Sequence, residues 1–176
     1  MVLKKQTNVG QLIICILLFV SCLTSCTTKK HEAIPYEGPP FTSLDMMLDY
    51  TSKLDHVDFG GCYYKSGNLQ TLHVAVIDNE KKWEIAGVAE AANGTMEDGS
   101  VVLVDVKYSL AELEAAQELL FENREQSGIW GAGVAPQKNK VVVHAEEFTE
   151  ESKKAIFALV EEDVVELAPA HQPRRE

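Results

Sequence analysis

Between residues 41 and 167 the spacing of apolar positions changes period several times, and each change predicts an element. Over residues 41–58, Leu44, Met47, Leu48, Thr51 and Leu54 recur at intervals of three and four, which places them on one face of a helix, with Thr42 or Ser43 available as N-cap. Residues 59–65 and 70–78 run apolar or alternating and are rich in β-formers, and the Ser-Gly-Asn between them is turn chemistry, so a β-hairpin is expected. Residues 80–92 read as a helix on their Ala, Glu and Lys content, against the contrary preference of Gly87 and the β-branched neighbours. Residues 101–107, VVLVDVK, are apolar on both alternating faces for their first half, the pattern of a central strand.

The second half of the chain is more strongly punctuated. Ser109-Leu110-Ala111-Glu112 has the S-x-x-E spacing of a capping box. Leu110, Leu113, Ala116, Gln117 and Leu120 then follow helical periodicity until Gly128 closes the helix in a left-handed conformation. Residues 129–135 and 140–146 flank a Pro-Gln-Lys-Asn turn and predict a second hairpin. Thr149 caps a further helix whose first turn carries Glu150 and Glu151 at the positive end of its dipole, and residues 163–167 return as a strand. From Val101 onward the order is β-α-β-β-α-β. The fold class is therefore α+β, a ferredoxin-like core preceded by a helix and a β-hairpin. If Val141 and Val143 face the helices, Trp130, Val142 and His144 point to the other face of the sheet. That face then needs covering, by the first hairpin or by a partner.

Ahead of this domain the pattern is different. Residues 1–11 carry two lysines and no acid, and the apolar run LIICILLFVSCL follows, the n-region and h-region of a secretory signal. The run is shorter than the 20 or so residues a spanning helix needs, so removal is expected rather than permanent anchorage. At its end stands Leu23-Thr24-Ser25-Cys26, which resembles the lipobox of bacterial lipoproteins: an aliphatic residue, two small residues for the signal peptidase, and the thiol that takes a diacylglyceryl group. Phe19-Val20-Ser21-Cys22 is a poorer second match. Lipidation, with palmitate-class chains, is assigned to Cys26. Two or three acyl chains, at about 0.8 kcal/mol per buried methylene, would hold the domain on the cell membrane facing away from the cytoplasm. The expected organisation is a signal peptide at 1–25, lipidated cysteine and extended proline-rich linker at 26–40, one α+β domain at 41–167 and a polar tail at 168–176.

Charge and cysteine usage narrow the partners. The chain has 16 basic and 27 acidic residues, net −11, and loss of residues 1–25 removes two lysines and no acid, which leaves −13. Such a balance opposes binding of nucleic acid through a basic patch and favours a basic partner. Cys15 and Cys22 leave with the signal and Cys26 is lipidated, so Cys62 remains alone with no disulfide framework, and its apolar setting FGGCYY reads as a small core residue.

Candidate chemistry is sparse. No G-x-S-x-G elbow, HExxH, P-loop or dinucleotide glycine pattern occurs, so no catalytic residue, metal or cofactor is assigned and the protein is not expected to be an enzyme. Asp55, His56 and Asp58 in LDHVD form the one candidate metal set, but consecutive residues seldom converge on a single ion and a solvated loop is the preferred reading. Trp130, flanked by glycines in GIWGAGV, is the candidate anchor for a partner, weighed against plain core packing. His144 is weighed as a switch near neutral pH against a packed or solvated residue.

Three stretches, FGGCYYKSGNLQTLHVAVIDN, KYSLAELEAAQELL and GVAPQKNKVVVHAEE, together resemble the pro-segment of alpha-lytic-protease and streptogrisin-type serine proteases over residues 59–147. The matching features are an F-x-G-x-Y/W strand, an L-x-V-x-V-x-D strand, a Y-S-x-A-E-L helix start and a G-V-x(4)-N-x-V-V-V hairpin. Tyr108, Ser109, Glu112, Asn139 and Val141 to Val143 fall on structural positions of that pattern. The resemblance implies a domain that assists or inhibits a serine protease, yet no protease follows it here. The expected function is a lipid-anchored extracytoplasmic protein-binding domain, an inhibitor or folding assistant of a secreted serine protease. A small-ligand or envelope sensor is the alternative, and that reading requires a cavity lined by Trp130 or Trp83 with converging polar groups.

Overall fold

The computed structural model describes residues 32–171; the expected signal segment, Cys26 and residues 172–176 lie outside the described residues. Helix α1 (Leu44–Thr51) starts at Ser43, whose hydroxyl accepts from the Met46 amide. Strands β1 (Phe59–Lys65) and β2 (Asn68–Val76) form the expected hairpin. Helix α2 (Lys81–Thr95) returns the chain so that β3 (Ser100–Asp105) pairs parallel with β2. The resulting sheet has the order β1-β2-β3, and one face packs on α1 and α2 through Met47, Leu72, Val74, Val76, Ile85, Val88 and Ala92.

The second half repeats this plan. Helix α3 (Leu110–Glu122) opens with the predicted capping box, Ser109 and Glu112 each accepting from the other's backbone amide. The helical rotation breaks at Asn123, and a single further turn, α4 (Arg124–Ser127), ends on Gly128 at φ +67°. Strands β4 (Gly131–Ala135) and β5 (Lys140–Ala145) form the second hairpin. Helix α5 (Glu150–Phe157), capped by Thr149, and a 3-10 turn (Glu162–Val164) lead to β6 (Val165–Pro169), parallel to β5. Leu113, Leu120, Ile129, Val141, Val143, Ala145 and Ile156 make the second core.

The described fold is thus α+β, with five α-helices and two three-stranded sheets of the same strand order and direction, an α-β-β-α-β unit in tandem. From β3 onward the element order is the expected β-α-β-β-α-β. Hydrogen bonding distributes these strands over two sheets, because β3 completes the first sheet beside β2 and leaves β4, β5 and β6 as the second. Strand β3 is accordingly an edge rather than the central strand its apolar run suggested, and Val102 is 42 % exposed on it. Residues 168 and 169, expected in the tail, belong to β6.

A short connector joins the two cores. Tyr108 packs on the second core and Leu110, two residues on, packs on the first. Asn139, at φ 51° the described non-glycine residue with left-handed backbone, fastens this connector: its side-chain oxygen accepts from the Lys107 and Tyr108 amides at 3.0 and 2.8 Å, and its amide donates to the Tyr108 carbonyl at 2.7 Å. Lys107 reaches the Asp163 carboxylate and the Tyr108 hydroxyl, and the ammonium, with help from that hydroxyl, holds the Asp163 carboxyl below the usual carboxylate range. On the first unit, His56 meets Glu114 of α3 at 2.7 Å and its carbonyl accepts from the Ala111 amide.

The expected linker is docked at its far end. Residues 33–40 have no regular secondary structure, but the Ile34 amide donates to the Trp83 carbonyl at 2.9 Å and the Tyr36 ring lies 5.2 Å from that of Phe41. The strap crosses α2 at Gly87, where a Cβ would stand 1.6 Å from the Ile34 carbonyl oxygen. This contact explains the glycine inside a helical sequence: close approach of a backbone more than fifty positions away takes precedence over helix propensity.

Candidate functional site

Alternation along β5 divides its side chains as predicted. Val141, Val143 and Ala145 are fully buried against α3 and α5, while Val142 and His144 are half-buried on the opposite face. Across the sheet, Gly133 lies opposite Val142 and Gly131 opposite His144 on β4, and Glu166 and Ala168 pair with the same two residues on β6. Over these two rungs the outer face is therefore built of two glycines, an alanine, a valine, an imidazole and one carboxylate, and Lys140 with Ala135 continues it at the hairpin end. Glu166 is engaged at its rim by Lys138 at 2.5 Å.

Trp130 stands at the end of this face. Its backbone amide donates to the His144 carbonyl at 2.9 Å, which adds one rung beyond β4. The indole stacks on the His144 ring at 5.2 Å between centroids with 19° between planes, and its Nε1–H donates to the Ala170 carbonyl at 3.0 Å. It is half-buried and belongs to neither core. The three sequence-predicted binding residues, Trp130, Val142 and His144, are thus brought together on one surface. His144 Nδ1 lies 3.3 Å from the Ala168 carbonyl oxygen, beneath the indole.

Comparison of the two units shows what sets this face apart. Val76 and Ala145 each precede the next helix by the same number of residues, which aligns His73 with Val142 and Tyr63 with Gly133. In the first sheet Tyr63 stacks on His73 at 5.0 Å and 17°, and the imidazole is 6 % exposed. In the second, Gly133 offers no side chain, its φ lies outside the left-handed region, and an added Cβ would meet nothing within 4 Å. Neither backbone conformation nor internal packing asks for glycine there, and its effect is to leave the outer face of the sheet bare at this position. The Gly-x-Gly spacing at 131 and 133 is the sequence signal for this floor, since residues two apart share a strand face.

Next to Trp130, on the α3–α4 side, lies an open groove of about 700 Å³. Phe121, Ile129 and Trp130 supply its apolar lining, and Arg124, Glu125, Glu146 and Glu147 its charges. The Arg124 guanidinium sits 4.8 Å from the centre of the Phe121 ring and donates to the Phe121 carbonyl. None of the three glutamates is in an ion pair among the described residues.

The other weighed positions are occupied structurally. His56 pairs with Glu114, an Asp55 carboxylate oxygen accepts from the Val57 amide, and an Asp58 oxygen accepts from the Asn79 side chain at 3.4 Å, so the LDHVD set does not converge. Among the described residues no group of three or more His, Cys, Asp or Glu is placed to hold a metal ion. Cys62 is half-buried on the first core with its sulfur 3.6 Å from the Thr51 hydroxyl. Trp83 is half-buried on α2, far in sequence from the groove, with the Lys82 ammonium 5.4 Å from its ring centre. No described helix is long and apolar enough to cross a membrane. The chain matches no protein-family model and no curated protein at a significant level.

Proposed function

We propose that the protein is a non-enzymatic, lipid-anchored extracytoplasmic binding domain that engages another protein through the outer face of its second sheet and the free edge of β4. The observation that carries this reading is Gly133, a bare position on the strand beside the Trp130–His144 stack, with no internal reason to be glycine. A partner strand added at β4 would gain main-chain hydrogen bonds, its alternate side chains would lie on the glycine floor, and the indole edge would provide an aromatic anchor. A negative domain steers a basic partner toward this surface. A secreted serine protease is the favoured partner on the resemblance of residues 59–147 to protease pro-segments, and Cys26 is the favoured anchor on its lipobox.

The test is capture of the host's secreted fraction on the purified protein, followed by titration of serine-protease activity in that fraction. Recovery of a chymotrypsin-like protease with dose-dependent inhibition, lost in Trp130→Ala, is the expected result. No recovery, with protease activity unchanged at micromolar protein, would overturn the inhibitor reading. Lipidation is tested separately, by metabolic labelling with a palmitate analogue that disappears in Cys26→Ser. The groove lined by Trp130, Arg124 and three glutamates favours the second reading, a small-ligand or envelope sensor, in which a ligand rather than a protein reaches the indole.

A further inference from the structure

We infer that the aromatic groove between the strap and helix α1 is a docking site for a proline-rich segment of another protein, held in polyproline II conformation with a basic residue set against Asp45. Asp45 and Asp49, and likewise Met46 and Tyr50, stand four apart on α1 and share one flank of it. Tyr36, Pro39 and Phe41 meet that flank across an open groove of about 480 Å³. Phe41, 4 % exposed, closes the bottom; its ring lies 5.2 Å from that of Tyr36 and 6.0 Å from that of Tyr50, the latter edge-on at 88°. The two tyrosines remain half-buried and form the walls. These side chains are held in place. The Thr95 hydroxyl donates to the Phe41 carbonyl at 2.7 Å, and the Thr42 hydroxyl donates to the Met46 sulfur at 3.2 Å. A Cβ on Gly38 would stand 2.0 Å from the Tyr36 phenol oxygen, so the glycine lets that phenol lie against the strap's own backbone.

Three properties select this occupant. A polyproline II segment has no internal hydrogen bonds, so its carbonyls are free acceptors, and it presents a ring on the same side every third residue, about 9 Å along. The groove supplies the counterparts, aromatic surface and donors. Neither the Tyr36 nor the Tyr50 hydroxyl makes a hydrogen bond among the described residues, and burial, with Glu84 adding to it, pushes the Tyr50 phenol up and keeps it a protonated donor. Other backbone forms fit less well. A strand needs a sheet edge, and no strand residue lines this groove; a helix ties up its own carbonyls and leaves both hydroxyls without acceptors. Charge then sets the flank of the segment. Asp49 is engaged by Lys53 at 2.5 Å, whereas Asp45 has no ion pair among the described residues, and the chain carries a net −11. The site uses no residue of the second sheet, so it stands whether or not a partner binds there.

The test titrates the full chain in detergent with the synthetic peptide Arg-Ala-Pro-Pro-Ala-Pro-Pro-Ala-Arg, followed by amide NMR. A peptide of the same charge with glycine in place of every proline is the control. Shifts should centre on residues 36–53, and the glycine peptide should bind at least about tenfold more weakly, having neither rings nor a preformed backbone. Tyr50→Ala should weaken binding at least about tenfold, as loss of a central aromatic anchor does. Tyr36→Phe/Tyr50→Phe keeps the rings and their packing and should weaken it several-fold through loss of two donors. Asp45→Asn should remove most of the salt dependence. Equal affinity for the proline and glycine peptides would overturn the proposal, as would full affinity in Tyr36→Phe/Tyr50→Phe. So would shifts centred elsewhere, no shift at millimolar peptide, or tetramethylammonium alone matching the peptide at the same residues.

Discussion

Substituting Gly87 by alanine puts two effects of opposite sign in competition. Within α2 the change should stabilise the helix by roughly 0.8–1.0 kcal/mol, the ordinary difference in propensity. The new methyl group, however, would stand 1.6 Å from the Ile34 carbonyl oxygen and 2.7 Å from its carbonyl carbon, both backbone atoms that no rotamer change can move. The strap at residues 33–36 must lift, and with it go the Ile34–Trp83 hydrogen bond and the Tyr36 contact with Phe41. A hydrogen bond of about 0.5–1.5 kcal/mol and an aromatic contact of similar size sum to roughly 1–3 kcal/mol. Lost packing of Tyr36 on the first core adds to this, so the strap term exceeds the helix term and the net effect is destabilisation by about 1–2 kcal/mol, within the range for overpacked sites. Gly94 provides the internal control, since it lies in the same helix and a Cβ there meets nothing within 4 Å. Urea unfolding followed by circular dichroism should give a lower midpoint for Gly87→Ala and an equal or higher one for Gly94→Ala, with unchanged slopes. If both alanines raise the midpoint alike, the strap does not occupy α2 in solution and the reasoning fails.

Other substitutions separate the roles of single residues. Asn139→Gly keeps the left-handed backbone but deletes three side-chain hydrogen bonds and should cost about 1–3 kcal/mol, and Asn139→Ala about 1 kcal/mol more for the strained φ, both read as urea midpoints. The Asp163 carboxyl is held down by the Lys107 ammonium, so its contribution is present above the ordinary carboxylate pKa and is lost as pH falls through the lower folded-state value. Asp163→Asn should therefore flatten the decline of stability below about pH 5 while leaving a constant offset above it, seen in unfolding midpoints across that range. Gly133→Leu places a side chain into open space on the outer face and should shift stability by no more than about 0.5 kcal/mol while abolishing partner capture; capture at the wild-type level would exclude that face as the docking surface.

Much of the local structure was legible because its determinants are local. Ser43, Ser109 with Glu112, and Thr149 cap the helices they were expected to cap, Gly128 ends its helix in the left-handed region, and both hairpins fall where turn residues interrupt alternation. Strand partnership was not legible: the apolar run of β3 reports that its faces meet apolar surroundings, not which neighbour it pairs with. That choice is made by α2, which carries the chain back beside β2. The tandem plan is hidden in the sequence for a related reason. Leu72, Val74 and Val76 do the work of Val141, Val143 and Ala145, so the two units share a pattern of burial in which only the middle one of these three positions keeps its residue. Of the candidate site, Trp130, Val142 and His144 follow from strand alternation, while the groove depends on Glu146, Glu147 and Phe121 meeting through tertiary packing.

The connector around Tyr108 bears on how readily the chain could be cut by a protease. Because Tyr108 packs against one core, Leu110 against the other and Asn139 laces the backbone between them, opening either half should strip surface from its neighbour. The two units should therefore lose amide protection together, as one cooperative block, instead of fraying in turn as beads on a string do. Cleavage of a folded chain proceeds through transient openings, and rarity of opening is what protects it when opening and closing are fast. Joining two small units into a single all-or-none body makes such openings rarer than either unit could by itself.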